Sequence, residues 1–326
     1  MRRALVLLSP CALFAGCRYA TLDRATPEGS RITDLHWFMF WLFGAVFFAV
    51  MGSLAAALMR RGGVFSPEGE RRRSAAVIWG AAVSCVLLLV TLGASVWAGR
   101  EVATPTGPDT LEIRVIGHQW WWEVRYPAAV AAQEFTTANE IHVPVGRAVR
   151  FLLGSDDVIH SFWAPNLNGK KDLLPGRSTT ESFRVERAGT YPGRCAEFCG
   201  YQHAHMGFVV IAEPPERFDA WLAGQRRDAE EPSNETQRHG LAVFLSGPCV
   251  TCHTIRGAGA FGHRGPDLTH LASRSTIAAD TLPNTTGHLA GWIVDSQRLK
   301  PGNRMPPNLI PSGDLLDLVA YLRGLR

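Results

Sequence analysis

The stretch Cys195-Ala-Glu-Phe-Cys199-Gly-Tyr-Gln-His203-Ala-His-Met206 places two thiols, two imidazoles and a thioether within twelve consecutive residues. A further imidazole, His160 in Asp-Val-Ile-His-Ser-Phe-Trp, lies upstream at the predicted end of a separate strand. Soft sulfur ligands with imidazoles and a weak methionine form the ligand set that copper prefers. Two cysteines four residues apart can bridge two copper ions, with His160 and His203 as terminal ligands. The pattern therefore predicts a dinuclear copper site.

The remaining positions around such a site are weak axial donors. Met206 and a backbone carbonyl, expected to be that of Glu197, suit this role. The alternative is a tetrahedral zinc site made of two cysteines and two histidines. A zinc site completed by two cysteines and two histidines leaves no role for Met206 as a ligand, so the sequence favours copper.

A second cysteine motif, Cys249-Val-Thr-Cys252-His253, has the spacing of a covalent attachment site for c-type haem. The thiols would bind the haem vinyl groups, and His253 would be the proximal ligand. The distal ligand is expected to be Met305 in Gly-Asn-Arg-Met-Pro-Pro, since it is the only methionine after His253. The alternatives are a zinc knuckle or a redox dithiol for the cysteines, and an ordinary core methionine for Met305.

The N-terminus has the pattern of an export signal, with Met-Arg-Arg followed by an apolar run that ends in Leu-Phe-Ala-Gly-Cys17. The small pair before Cys17 is typical of a bacterial lipoprotein cleavage site, so residues 1–16 are predicted to be a signal peptide. Cys11 lies within this signal, and Cys85 lies in an apolar helix as a small hydrophobic residue. Since copper and haem account for the other four cysteines, no disulfide is expected.

Two apolar runs, roughly residues 36–59 and 74–98, are long enough to span a bilayer. Five arginines crowd the short loop between them, at positions 60, 61, 71, 72 and 73. By the positive-inside rule this loop is cytoplasmic, and everything after Arg100 lies on the outer side of the membrane. The alternative, two core helices of a soluble protein, is disfavoured because neither run has a polar face.

Beyond residue 110 the pattern changes to short strands. Candidates begin with the alternation of Leu111, Ile113 and Val115 and continue at 140–143, 149–153, 182–185 and 207–212, separated by Pro/Gly turns. Such spacing suggests a β-sandwich. Residues 225–237 are hydrophilic and predict a linker, and an amphipathic helix is expected at 314–325. The formal net charge of +4 implies no nucleic-acid partner.

The copper loop resembles that of cytochrome c oxidase subunit II, over residues from about 30 to 220, and the C-terminal part resembles class I cytochrome c. The implied fold is a two-helix transmembrane hairpin, an all-β cupredoxin sandwich and an all-α cytochrome c domain, as in a caa-type haem-copper oxidase. After the signal, the expected segments are 17–100 with the two helices, 101–224 with dinuclear copper (CuA), the linker, and 238–326 with a covalent haem c.

The resemblance also implies roles and partners. Trp120 matches the surface tryptophan through which electrons enter the copper domain, and Glu197 matches a residue that binds magnesium shared with subunit I. The expected partners are subunits I and III of the oxidase, membrane lipid, and a soluble or membrane-bound cytochrome that donates electrons. The expected location is the bacterial inner membrane, with both metal domains on the periplasmic or outer side.

Both predicted centres are closed to substrate, so the chain is expected to move electrons within a proton-translocating oxidase whose oxygen chemistry lies in subunit I. The main alternative is the electron-receiving subunit of a nitric oxide reductase that carries CuA. A nitrous oxide reductase fits poorly, because there the same loop follows a large propeller. A quinol oxidase subunit II without metal conflicts with the complete ligand set, and a free-standing membrane electron carrier is a further alternative.

Overall fold

The computed structural model describes residues 19–59, 66–102, 107 and 109–326. Within these residues the chain forms two long helices, a β-sandwich and a smaller helical domain, in that order. The predicted signal peptide, Cys17 and two of the loop arginines, Arg60 and Arg61, lie outside the described residues.

The two long helices are α1 (Pro27–Met59) and α2 (Pro67–Val102), and they contact each other. Each contains a window that is long and apolar enough to cross a membrane, and these windows are not buried within the chain. Large side chains such as Trp41, Phe48 and Trp79 are about 70% exposed. A surface this apolar suits contact with lipid rather than water, because lipid tails are as apolar as these side chains.

Ten strands form the sandwich, with five in each sheet. The first sheet has the order β3-β2-β1-β5-β8, with β1 (Leu111–His118), β2 (Trp121–Tyr126), β3 (Phe135–Ala138), β5 (Ala148–Ser155) and β8 (Thr179–Arg184). The second has the order β4-β10-β9-β6-β7, with β4 (Glu140–Pro144), β10 (Gly207–Glu213), β9 (Gly189–Cys195), β6 (His160–Trp163) and β7 (Lys171–Leu173).

The alternation noted in the sequence explains the two layers. Ile113 and Val115 on β1 are fully buried, whereas Arg114 between them is exposed. Aromatic rings join the sheets: Trp122 of β2 packs edge-on against Phe208 of β10 with centroids 5.3 Å apart. Burial of such rings supplies most of the driving force for closing a sandwich. The packed sandwich is rigid and therefore holds the loops at the sheet ends in place.

After the sandwich, α3 (Pro215–Gln225) leads into a polar connection, and α4 (Glu235–Ser246) opens the last domain. The other helices of this domain are α5 (Thr286–Val294), α6 (Ser296–Leu299) and α7 (Ser312–Leu322). Helices α4 and α7 cross closely at Gly240, where a Cβ atom would lie 2.0 Å from the carbonyl oxygen of Asp317. Glycine is therefore required at this crossing.

Because one carboxyl group in the sandwich is buried, we expect the free energy of unfolding to depend on pH. Glu181 on β8 is 9% exposed, and its Oε2 atom has no hydrogen-bond partner in the described part of the chain. Burial raises the pKa of Glu181 to about 8. The folded state therefore keeps a proton that the unfolded chain loses near the ordinary pKa of 4.5. Between these values the free energy of unfolding falls as pH rises, by about 1.4 kcal/mol per pH unit.

The substitution Glu181→Gln should remove this fall. We expect the variant and the wild type to unfold at similar temperatures near pH 4.5, and the variant to be clearly more stable near pH 8. Thermal unfolding of the purified chain across this pH range measures the effect. Glu186→Gln, which changes an exposed carboxylate beyond the same strand, is the control. Parallel pH profiles for wild type and Glu181→Gln would contradict the assignment.

Candidate functional site

All six predicted copper ligands meet at one end of the sandwich. The sulfur atoms of Cys195 and Cys199 lie 3.8 Å apart. Each sulfur has one imidazole nitrogen and one weak donor beside it. The Cys195 sulfur lies 3.8 Å from His160 Nδ1 and 3.2 Å from the Glu197 carbonyl oxygen. The Cys199 sulfur lies 3.6 Å from His203 Nδ1 and 3.8 Å from Met206 Sδ.

Strand ends position these ligands. Cys195 is the last residue of β9, His160 is the first residue of β6, and Met206 directly precedes β10. The three strands are neighbours in the second sheet, so the loop of residues 196–206 closes over one sheet end. Both cysteines are 3% exposed, and His160 and Met206 are fully buried. A buried set of soft donors with two sulfurs in contact fits a dinuclear copper ion pair.

The two thiols share one hydrogen bond. This contact lowers the pKa of Cys195, chiefly through the hydrogen bond with Cys199, and raises the pKa of Cys199. Since metal ligands must be deprotonated, both thiols would have to lose their protons for copper to be held here.

Asp157 orients the ligand His160 and is a functional residue that the sequence analysis missed. Its Oδ1 atom lies 2.8 Å from His160 Nε2, so that nitrogen donates and Nδ1 is left to face Cys195. Burial opposes ionisation of Asp157, but hydrogen bonds from His160 and from the Gln119 and Val158 amides lower its pKa. An ionised carboxylate behind an imidazole raises its basicity as a metal ligand. The spacing of three residues between Asp157 and His160 was visible in the sequence.

Trp120 contacts the copper loop through its ring. Its Nε1 donates to the Cys199 carbonyl oxygen at 2.9 Å, and Gln119 Nε2 donates to the same oxygen at 2.7 Å. Trp120 is 7% exposed, so it does not lie on the surface of the chain as the matching family residue was expected to. The last domain covers it: a Cβ atom on Gly302 would lie 3.7 Å from the ring. Trp122 is fully buried in the core.

Two further residues of the loop point outward. The Glu197 carboxylate lies 3.2 Å from Lys170 Nζ and is 43% exposed, although its carbonyl faces Cys195. His205 Nδ1 donates to Gln202 Oε1 at 2.8 Å. The His205 ring therefore makes its hydrogen bond outside the predicted ligand set.

The last domain contains a cavity of about 570 Å³, within the range of about 300–1,000 Å³ typical of cofactor sites. Four lining residues are the predicted haem ligands and attachment points: Cys249, Cys252, His253 and Met305. Residues 118–121 of the copper domain line the same cavity. The structure thus brings the four residues to one cavity, which the copper domain also lines.

The lining of this cavity fits a haem. His253 Nδ1 donates to the Pro266 carbonyl oxygen at 2.8 Å, which leaves Nε2 free as a ligand. Burial lowers the pKa of His253 and keeps the ring neutral, as an iron ligand must be. Gly265 lies against this ring, since a Cβ atom there would be 2.6 Å from His253 Cε1.

Comparisons with known proteins match both domains. Residues 129–213 match the family of the cytochrome c oxidase subunit II periplasmic domain, and residues 238–326 match cytochrome c. Cytochrome c oxidase subunit 2 of Alkalihalophilus pseudofirmus is 34% identical over 316 residues, which cover 94% of this chain and 90% of that protein. The chain belongs to the cytochrome c oxidase subunit II family.

Other similar proteins cover less of this subunit II. Cytochrome c oxidase subunit 2 of Bacillus subtilis is 30% identical over 230 residues, covering 67% of this chain and 63% of that protein. The crystal structure of the periplasmic domain of subunit II of the Bradyrhizobium japonicum oxidase is 29% identical. The match covers 37% of this chain and 96% of the chain in that structure, with a TM-score of 0.34.

The predicted family and fold class of this subunit II are therefore confirmed: two apolar helices, a cupredoxin-like sandwich and a helical cytochrome c domain. The first of the matched domains implies CuA, and the second implies haem. As a family member the chain is a component of an oxidase complex, and its two apolar helices are long enough to anchor it in a membrane.

Within subunit II the haem domain contacts the copper domain at several points. Ser275 donates to the Glu140 carboxylate through its backbone N–H at 2.7 Å and its hydroxyl at 2.6 Å. The Gly207 N–H, next to Met206, donates to the Ala279 carbonyl oxygen at 3.1 Å. No local sequence signal predicts these contacts, because they depend on how two domains fit together.

Proposed function

We propose that this chain is the electron-receiving subunit of a respiratory haem-copper oxidase. Its haem domain takes electrons from a donor cytochrome, and its copper domain delivers them to the catalytic subunit I, where oxygen is reduced. When bound, a covalent haem c and a dinuclear copper centre each supply a site that takes up and releases one electron.

The observation that carries the proposal is the position of Trp120. The ring is hydrogen-bonded to the carbonyl of the ligand residue Cys199, and the same residue lines the haem cavity. Trp120 is thus in contact with both sites at once. Because the haem domain covers it, an external cytochrome would have to donate to the haem domain rather than to Trp120.

The copper loop offers a surface for a partner. Phe198 and Tyr201 are 77% and 91% exposed, and Glu197 lies beside them with a half-exposed carboxylate. Exposed large apolar side chains with a polar rim mark sites of protein contact. We assign this surface to subunit I and the Glu197 carboxylate to a shared magnesium ion. Subunit III and membrane lipid complete the assembly around α1 and α2.

The orientation in the membrane follows from charge. Arg71, Arg72 and Arg73 lie in the first two turns of α2 and would lie on the cytoplasmic side, which puts the sandwich and the haem domain on the periplasmic side. Covalent haem attachment and an export signal, both predicted from the sequence, would require the same side.

Purification of the native complex through a tag on this chain tests the proposal. We expect a haem-copper catalytic subunit to purify with it and the complex to consume oxygen when an artificial reductant is supplied. Reduction of nitric oxide without oxygen consumption would favour the nitric oxide reductase alternative. Purification of the chain without any catalytic partner would favour a free-standing electron carrier.

A further inference from the structure

A lysine of the haem domain is buried at the contact with the copper domain. Lys300, which follows α6, is 2% exposed. Its Nζ donates to three backbone carbonyl oxygens: Trp120 at 2.9 Å and His205 at 2.8 Å in the copper domain, and Ala278 at 3.1 Å in the haem domain. Two of the three acceptors thus belong to the other domain.

Burial of the Lys300 ammonium group costs free energy unless each of its N–H donors forms a hydrogen bond. An ammonium group has three donors, and the three carbonyls match that number. Burial lowers the pKa of Lys300 to about 7, which reflects the free energy lost when a cation leaves water. Removal of either side of such a contact leaves buried polar groups unpaired, which destabilises the contact more than a surface substitution does.

The residues after Lys300 continue the contact. The Pro301 carbonyl oxygen accepts from Gln202 Nε2 at 2.9 Å, and Gly302 lies over the Trp120 ring. Arg304 Nη2 lies 3.4 Å from Asp157 Oδ2, on the carboxylate that orients His160. We call residues 300–304 the docking segment. It ends directly before Met305.

We propose that Lys300 is the positioning residue that docks the haem domain on the copper domain and holds the segment leading to Met305 against the copper loop. The functional consequence rests on the proposed electron transfer: a docked segment keeps the haem cavity beside Trp120, where transfer between the two sites is direct. The docking itself is a property of this chain alone.

Hydrogen exchange of the full chain in detergent tests the docking. Two amides report on it, because each donates across the domain contact: Gly207 N–H to the Ala279 carbonyl oxygen and Ser275 N–H to the Glu140 carboxylate. In Lys300→Met the side chain keeps its length and loses its donors. We expect exchange at both amides to become at least about tenfold faster, with Val210 inside β10 unchanged.

Arg298→Met is the matched control, since it removes an exposed cation two residues away and should leave exchange at both amides unchanged. If Lys300→Met fails to accumulate, Lys300→Gln replaces it and retains two donors. Unchanged exchange at Gly207 and Ser275 would overturn the proposal. Faster exchange throughout both domains would also overturn it, because Lys300 would then stabilise the fold rather than the docking. The assay needs neither turnover nor a catalytic subunit, so its result is independent of the oxygen assay.

Discussion

Replacement of Cys199 by serine is expected to abolish the dinuclear copper signal and to leave the haem spectrum intact. Cys199 Sγ contacts the Cys195 sulfur, His203 and Met206, so this atom is shared by most of the ligand set. Loss of an outer partner of a metal ligand already costs about 10–100-fold in affinity, and loss of a bridging ligand should cost more. Copper analysis and paramagnetic resonance of the purified chain measure the effect.

Cys85→Ser is the matched control, because Cys85 is an exposed cysteine of α2 far from the site in sequence and structure. It should retain full copper content. The haem domain has its own core around Phe244, Leu318 and Leu322, so its spectrum should not change in Cys199→Ser. Simultaneous loss of copper and haem would show that the two sites do not form independently.

Replacement of Met305 by alanine should leave haem covalently attached but open its sixth coordination position. Thioether ligation favours ferrous iron, so its loss should shift iron towards high spin and lower the reduction potential. Axial ligands span a range of about 0.8 V, and we expect a shift on the order of 0.1 V within it. The backbone should stay in place, because the Met305 carbonyl oxygen accepts hydrogen bonds from Ser296 and Gln297 at 2.7 Å. Absorption spectra and redox titration measure the change.

Leu309→Ala provides the comparison for this variant, since Leu309 is fully exposed four residues further along the chain. Its spectrum and potential should match those of the wild type. A low-spin spectrum with an unchanged potential in Met305→Ala would mean that another residue is the distal ligand.

Most of the copper ligand set could be predicted because its chemistry is local. Cys195, Cys199, His203 and Met206 lie within one loop, and their spacing alone specifies soft metal chemistry. Strands such as β1 and β5 were predictable from alternating apolar residues. Strand β9 was missed because two glycines and Pro192 interrupt its pattern, and its pairing with β10 compensates for their low strand propensity.

The contact between the domains could not be predicted from sequence. Lys300 has no signal of its own, since a lysine is ordinarily exposed and its burial depends on carbonyls from distant parts of the chain. Burial of Trp120 has the same cause. The resemblance implied a surface tryptophan, but a haem domain on the same chain occupies that surface here.

A single-turnover experiment tests most directly the central claim, that electrons pass from haem to copper within this chain. In the assembled complex, haem c is reduced, no cytochrome is added, and its reoxidation by oxygen is followed by absorbance. We expect prompt reoxidation in the wild type and a haem that stays reduced in Cys199→Ser. Reoxidation that requires added cytochrome c, or that is equally fast in Cys199→Ser, would contradict the account.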